Sequence, residues 1–76
     1  ITILDIGCAN GLLLHSLMEW SNHQLTPYGV DPSKERLAGV TEVLPELKNN
    51  FALLKVTELE HLSSHGLPSQ FDIVFW

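Results

Sequence analysis

Ile3-Leu4-Asp5-Ile6-Gly7-Cys8-Ala9-Asn10-Gly11 decides how the chain reads. The apolar, β-branched run from Ile1 to Ile6 carries an acid near its end, a loop of small residues follows, and an apolar segment of helical spacing opens at Leu12. The side-chain period changes from that of a strand to that of a helix within the loop. A strand that enters a helix this way begins a βαβ unit, and the free N–H groups at the helix start favour an anion or a polar ligand group. Gly7 can adopt dihedrals closed to other residues, Gly11 leaves room for close approach, and Ala9 is the smallest residue that still has a side chain. The plainer reading, glycines that only permit a tight crossover, stands until a second feature is added.

Outward from the loop, Leu12 to Trp20 reads as a helix with Leu13, Leu14, Leu17 and Met18 on its buried face. Ser21 to Gln24 breaks it. Thr26-Pro27 is an extended entry to a short strand, Tyr28-Gly29-Val30, that ends at Asp31. Pro32 and Ser33 start a second helix with a stripe of Leu37, Val40, Thr41, Leu44 and Leu47, kinked or ended near Leu44 by Pro45. A third strand is expected over Phe51 to Val56. Thr57 and Glu60 have capping-box spacing for a short helix reaching about Ser64. A loop marked by Gly66, Pro68 and Ser69 leads to a fourth strand, Phe71 to Trp76. Strands alternating with helices predict an α/β fold: a Rossmann-like three-layer sandwich with parallel strands in the order 3-2-1-4. Strands at both ends of the chain lead to the expectation that residues 1–76 are the first, cofactor-binding half of a larger domain.

Composition narrows the function classes. Seventy-six residues, 45% of them hydrophobic, suit one small globular unit. The net charge of −5 and the absence of a Lys/Arg cluster give no nucleic-acid footprint and lean towards a small-molecule substrate. The one cysteine, Cys8, excludes an internal disulfide. No apolar run approaches the roughly 18 residues of a membrane span, and a cytoplasmic setting is expected. His15 and His23 are expected at the surface, and Trp20 and Phe71 in packing. His61 and His65 stand four apart but in a context that frays, so no metal site is expected. Trp76 sits where a substrate or cofactor wall is expected.

The second feature is Asp31, 20 residues beyond Gly11 at the tip of a strand. A carboxylate there can accept two hydrogen bonds from vicinal ribose hydroxyls. It can equally cap the turn into Pro32-Ser33. The dinucleotide fingerprint Gly-x-Gly-x-x-Gly is not met, because Leu12 stands where its last glycine belongs, and no Gly-x-x-x-x-Gly-Lys-Ser/Thr run exists.

Leu4-Asp5-Ile6-Gly7-Cys8-Ala9-Asn10-Gly11 resembles the first motif of class I S-adenosylmethionine-dependent methyltransferases, an apolar strand and an acid followed by Gly-x-Gly-x-Gly. Tyr28-Gly29-Val30-Asp31 resembles that family's second-strand acid motif, and Phe71 to Trp76 its fourth strand. The resemblance covers nearly the whole chain and departs from the family at Ala9, which replaces the central glycine. It implies S-adenosyl-L-methionine as cofactor and S-adenosyl-L-homocysteine as product. The methionine end would lie over Gly7, Cys8, Ala9, Asn10 and Gly11. Asp5 would orient the loop and the cofactor's amino end, Asp31 would hold the ribose, and Pro32, Thr57 and Glu58 would approach adenine. Catalytic residues and the methyl acceptor would belong to segments after the fourth strand. The rival readings are a NAD(P)-dependent oxidoreductase cofactor domain and a non-catalytic, methyltransferase-like interaction domain.

Overall fold

A computed structural model describes residues 1–22 and 24–76; His23, expected at the surface, lies outside the described residues. Four strands, β1 (Thr2–Ile6), β2 (Thr26–Asp31), β3 (Phe51–Leu53) and β4 (Ile73–Phe75), form one all-parallel sheet in the order β3-β2-β1-β4. Helices lie between the strands: α1 (Leu12–Trp20), α2 (Lys34–Ala38), α3 (Val40–Val43), and 3₁₀ segments at Pro45–Asn50 and Val56–His65. This is the α/β architecture and strand order that the alternation predicts.

The period of two in the strands assigns the layers. Leu4, Val30 and Ala52 point to one face, where they pack with Leu54, Leu62 and Leu67. Ile3 points to the other, where Leu14 of α1, Val40 and Leu44 join it with Cys8. The β1-to-β3 crossovers therefore cover one face, and the return from β3 to β4 covers the other. Connections leave β1 in opposite senses, so the switch point of the sheet falls between β1 and β4, at the carboxyl ends of which such sheets receive ligands.

Several local expectations are corrected. In α1 only Leu14 is buried; Leu13 and Trp20 are exposed, because only one edge of the helix faces the sheet. The second helix divides at Gly39; its end at Leu44, with a 3₁₀ turn opened by Pro45, is as expected. Thr41 leaves the apolar stripe and is exposed, its hydroxyl donating to the Ala38 carbonyl at 3.1 Å. Pro27 lies inside β2, tolerated because β3 pairs with β2 only from Gly29 onward. Its carbonyl accepts from Asn50 Nδ2 at 3.1 Å.

β3 stops at Leu53 because β2 ends at Asp31, opposite it. The next 3₁₀ segment begins two residues earlier than expected, and the reciprocal cap falls on Lys55 and Glu58, not Thr57 and Glu60. The Glu58 N–H donates to the Lys55 carbonyl at 2.9 Å, and the Lys55 N–H to Glu58 Oε1 at 3.1 Å. β4 is confined to Ile73–Phe75, and its entry is fixed by Asp72, whose carboxylate accepts from the Thr2 N–H at 2.8 Å. Phe71 packs edge-on against Tyr28, ring centres 5.5 Å apart. Among the described residues no helix is long and apolar enough to cross a membrane.

Candidate functional site

The loop after β1 is held by β2, not by its own helix alone. The N–H groups of Gly7 and Cys8 both donate to the Val30 carbonyl, at 2.7 and 3.1 Å. The Ala9 N–H donates to Asp31 Oδ2 at 3.0 Å. Gly11 N–H closes the turn on the Cys8 carbonyl at 3.0 Å, and Asn10 Oδ1 accepts from the Leu12 N–H at 3.1 Å, capping α1. This path puts Gly7, Ala9 and Gly11 at positive φ, of 81°, 52° and 81°. Gly7 is exposed and faces open space on the side where a Cβ would stand, so the loop presents bare backbone there.

Asp31 is completely buried, and its oxygens are met by N–H donors from three residues. Besides Ala9, the Ser33 N–H donates to Oδ1 at 2.8 Å, and Arg36 Nη2 lies 3.3 Å from the same oxygen. The turn function and the loop-binding function thus coexist in one side chain. Ser33 Oγ in turn accepts from the Arg36 N–H at 3.3 Å, which starts α2 with Arg36 directed back at the carboxylate.

Asp5 is the second buried acid. Burial, with the Asp31 charge adding to it, pushes its pKa from 3.8 up to about 6. The carboxyl therefore changes charge just below neutral pH, and either form can serve a polar ligand group. Cys8 packs behind the loop against the sheet. Its burial and the charges of Asp5 and Asp31 push the thiol up to about 12, so at neutral pH it is a packed, protonated side chain and not a nucleophile.

The remaining expected residues separate into two hollows. Ala9 and Asn10 share a hollow of about 280 Å³ with Glu35, Arg36 and Gly39. Pro32 and Glu58 share one of about 360 Å³ with Leu53, Leu54 and Lys55. Thr57 is exposed and is not in that wall. Trp76 is exposed, one residue past the end of β4. A larger apolar hollow, about 610 Å³, lies between α1 and the β1–β4 edge, walled by Leu13, Leu17, Trp20, Ile73 and Phe75. It contains none of the loop residues.

Against known proteins, the chain matches no family model, no curated protein and no solved structure. The reading of the site therefore rests on its own geometry.

Three contributors escape a reading by motif. Arg36 is one, although Asp31-Pro32-Ser33-x-x-Arg36 is the spacing that turns a short helix back on a strand-end acid. Gly39 is another: a Cβ there would stand 2.9 Å from the Asn10 Cβ, so the loop and the second helix touch only because that residue is glycine. Gly29 is the third, since a Cβ on it would come within 2.7 Å of Cys8 Sγ and of the Phe51 ring. A glycine inside a strand or inside a helical stripe is the available signal, and it marks close approach.

Proposed function

We propose that the chain binds S-adenosyl-L-methionine at the carboxyl edge of β1 and β2 and serves methyl transfer to a small-molecule acceptor. One observation carries the reading: the small-residue loop and the strand-end acid are joined directly, through Ala9 N–H and Asp31 Oδ2, beside the switch point of the sheet. The residues fit such a cofactor in three respects. Gly7 leaves backbone open to close approach. Asp31, at the end of β2, has acceptor positions beyond the two used by the Ala9 and Ser33 N–H groups. Pro32, Leu53 and Leu54 line part of a hollow of about 360 Å³, which they share with Lys55 and Glu58.

The cofactor would supply a sulfonium-bound methyl group, open to in-line displacement by a nucleophile of the acceptor. In this reading the chain's residues act on the donor. The loop backbone positions it, Asp31 fixes its sugar, and Asp5, poised near pH 6, holds a polar group at its amino end. Glu58 does not reach the ring through its carboxylate, which is bonded to the Lys55 N–H. Cys8, held as a thiol, supports the loop and takes no covalent part. The net charge of −5 without a Lys/Arg cluster favours a small acceptor over nucleic acid. We place the activity in the cytoplasm, where an unpaired cysteine stays reduced.

Titration calorimetry of the protein with S-adenosyl-L-homocysteine and, separately, with NAD tests the proposal. Binding of S-adenosyl-L-homocysteine that exceeds binding of NAD is expected. No heat with the former, or tighter binding of NAD, overturns it.

A further inference from the structure

We propose that Arg36 is a displaceable lid on the sugar-binding face of Asp31, so that ligand entry requires the Arg36–Asp31 ion pair to open. The inference rests on the site reading above and adds a regulatory step to it.

The argument is a count of acceptor positions. An ionised carboxylate has about four lone-pair sites, two on each oxygen. In Asp31, one site on Oδ2 is taken by the Ala9 N–H and one on Oδ1 by the Ser33 N–H. These two donors are backbone groups in turns that are themselves tied down, through Gly7 and Cys8 to the Val30 carbonyl and through Ser33 Oγ to the Arg36 N–H. They cannot leave without unfolding the loop. Two sites remain, one on each oxygen, and a vicinal diol brings two O–H donors. Arg36 occupies the one on Oδ1, at 3.3 Å.

Mobility decides which contact yields. The Arg36 side chain is 59% exposed while Asp31 is 0% exposed, so the guanidinium is the only member of the set that can turn into solvent. It also walls the hollow over Ala9, Asn10 and Gly39. Its departure widens that hollow and bares the diol position in one movement. The guanidinium end of the pair lies in solvent although its partner is buried, so salt weakens its hold.

The test compares the parent with Arg36→Met, which keeps the apolar stem and removes charge and donors. Affinities for S-adenosyl-L-homocysteine, adenosine and 2′,3′-dideoxyadenosine are measured at low and high potassium chloride. The variant is expected to bind the first two about five-fold tighter at low salt. No gain is expected for the dideoxy compound, and the gap for the diols should close as salt rises. Parent binding with an unchanged or weakened variant overturns the lid while leaving the site intact. An equal gain for the dideoxy compound overturns it too, since Arg36 would then act by bulk and not on the diol site. If neither protein binds S-adenosyl-L-homocysteine, the site reading fails and the lid with it.

Discussion

Ala9→Gly is expected to stabilise the protein, against the usual effect of adding a glycine. Ala9 sits at φ 52°, in the left-handed region, pinned there by its N–H bond to Asp31 and by the Gly11-to-Cys8 turn around it. An L-residue with a Cβ in that region loses roughly 1 to 2 kcal/mol against a right-handed or extended backbone. Glycine removes the loss but gives the unfolded chain more freedom, which offsets about 0.4 to 1 kcal/mol. The balance is a gain of about 0.5 to 1 kcal/mol. For a domain of this size that raises Tm by roughly 2 to 8 °C, within reach of calorimetry or circular dichroism. Gly7→Ala supplies the converse control. Gly7 is at φ 81° with nothing within 4 Å of the added methyl, so its expected loss is the same backbone strain less the same unfolded-chain offset, about 0.5 to 1 kcal/mol. An Ala9→Gly protein no more stable than its parent, while Gly7→Ala is destabilised, would refute the placing of strain at Ala9 and with it the described path of the loop.

Two further outcomes follow from the buried acids. Asp31→Asn replaces one acceptor oxygen by an NH₂ group that must meet either the Ala9 or the Ser33 N–H donor to donor; a loss of about 2 to 4 kcal/mol in urea titration is expected, and a variant as stable as the parent would show that Asp31 does not hold the loop. Asp5 ionises in the unfolded chain near 3.8 and in the folded protein near 6, so between those values the folded state keeps a proton the unfolded chain has released. Its contribution is fully favourable below about pH 3.8 and is lost as pH rises through about 6. Asp5→Asn removes that titration, and its Tm relative to the parent should climb across this window, by roughly 1 to 2 kcal/mol in stability after allowance for solvent screening; a difference that is flat with pH would refute the burial argument.

What could be read along the chain is what depends on period and punctuation. The alternation of apolar runs with capped, striped segments predicts the parallel sheet and its layers, because each strand needs a covered face and each crossover has a fixed hand. The positions of Gly7 to Gly11 and of Asp31 at the ends of β1 and β2 are legible in the sequence, because both follow apolar runs. Element lengths are not. β3 ends where its neighbour β2 ends, and the helix cap moves with it from Thr57 and Glu60 to Lys55 and Glu58. A strand's length is a property of the pair, and no single segment encodes it. The exposure of Leu13 and Trp20 has the same origin: an apolar residue at helical spacing states what could be buried, while the neighbouring layer decides what is.

In the sequence the small-residue loop and the strand-end acid are two separate motifs, one donor-rich and one acceptor. In the folded protein they are one device. Asp31 uses one oxygen to hold the loop and the other to start α2, so the carboxylate that would meet a sugar also sets the loop's conformation. The strain at Ala9 is sustained by that same bond. Tightening the loop by Ala9→Gly therefore leaves Asp31 in place, whereas removing Asp31 abolishes both the anchor and the acceptor. A loss of ligand affinity in an Asp31 variant would not by itself assign the sugar contact. Arg36, which touches the carboxylate from the solvent side and carries none of the loop, is the position that separates binding from folding.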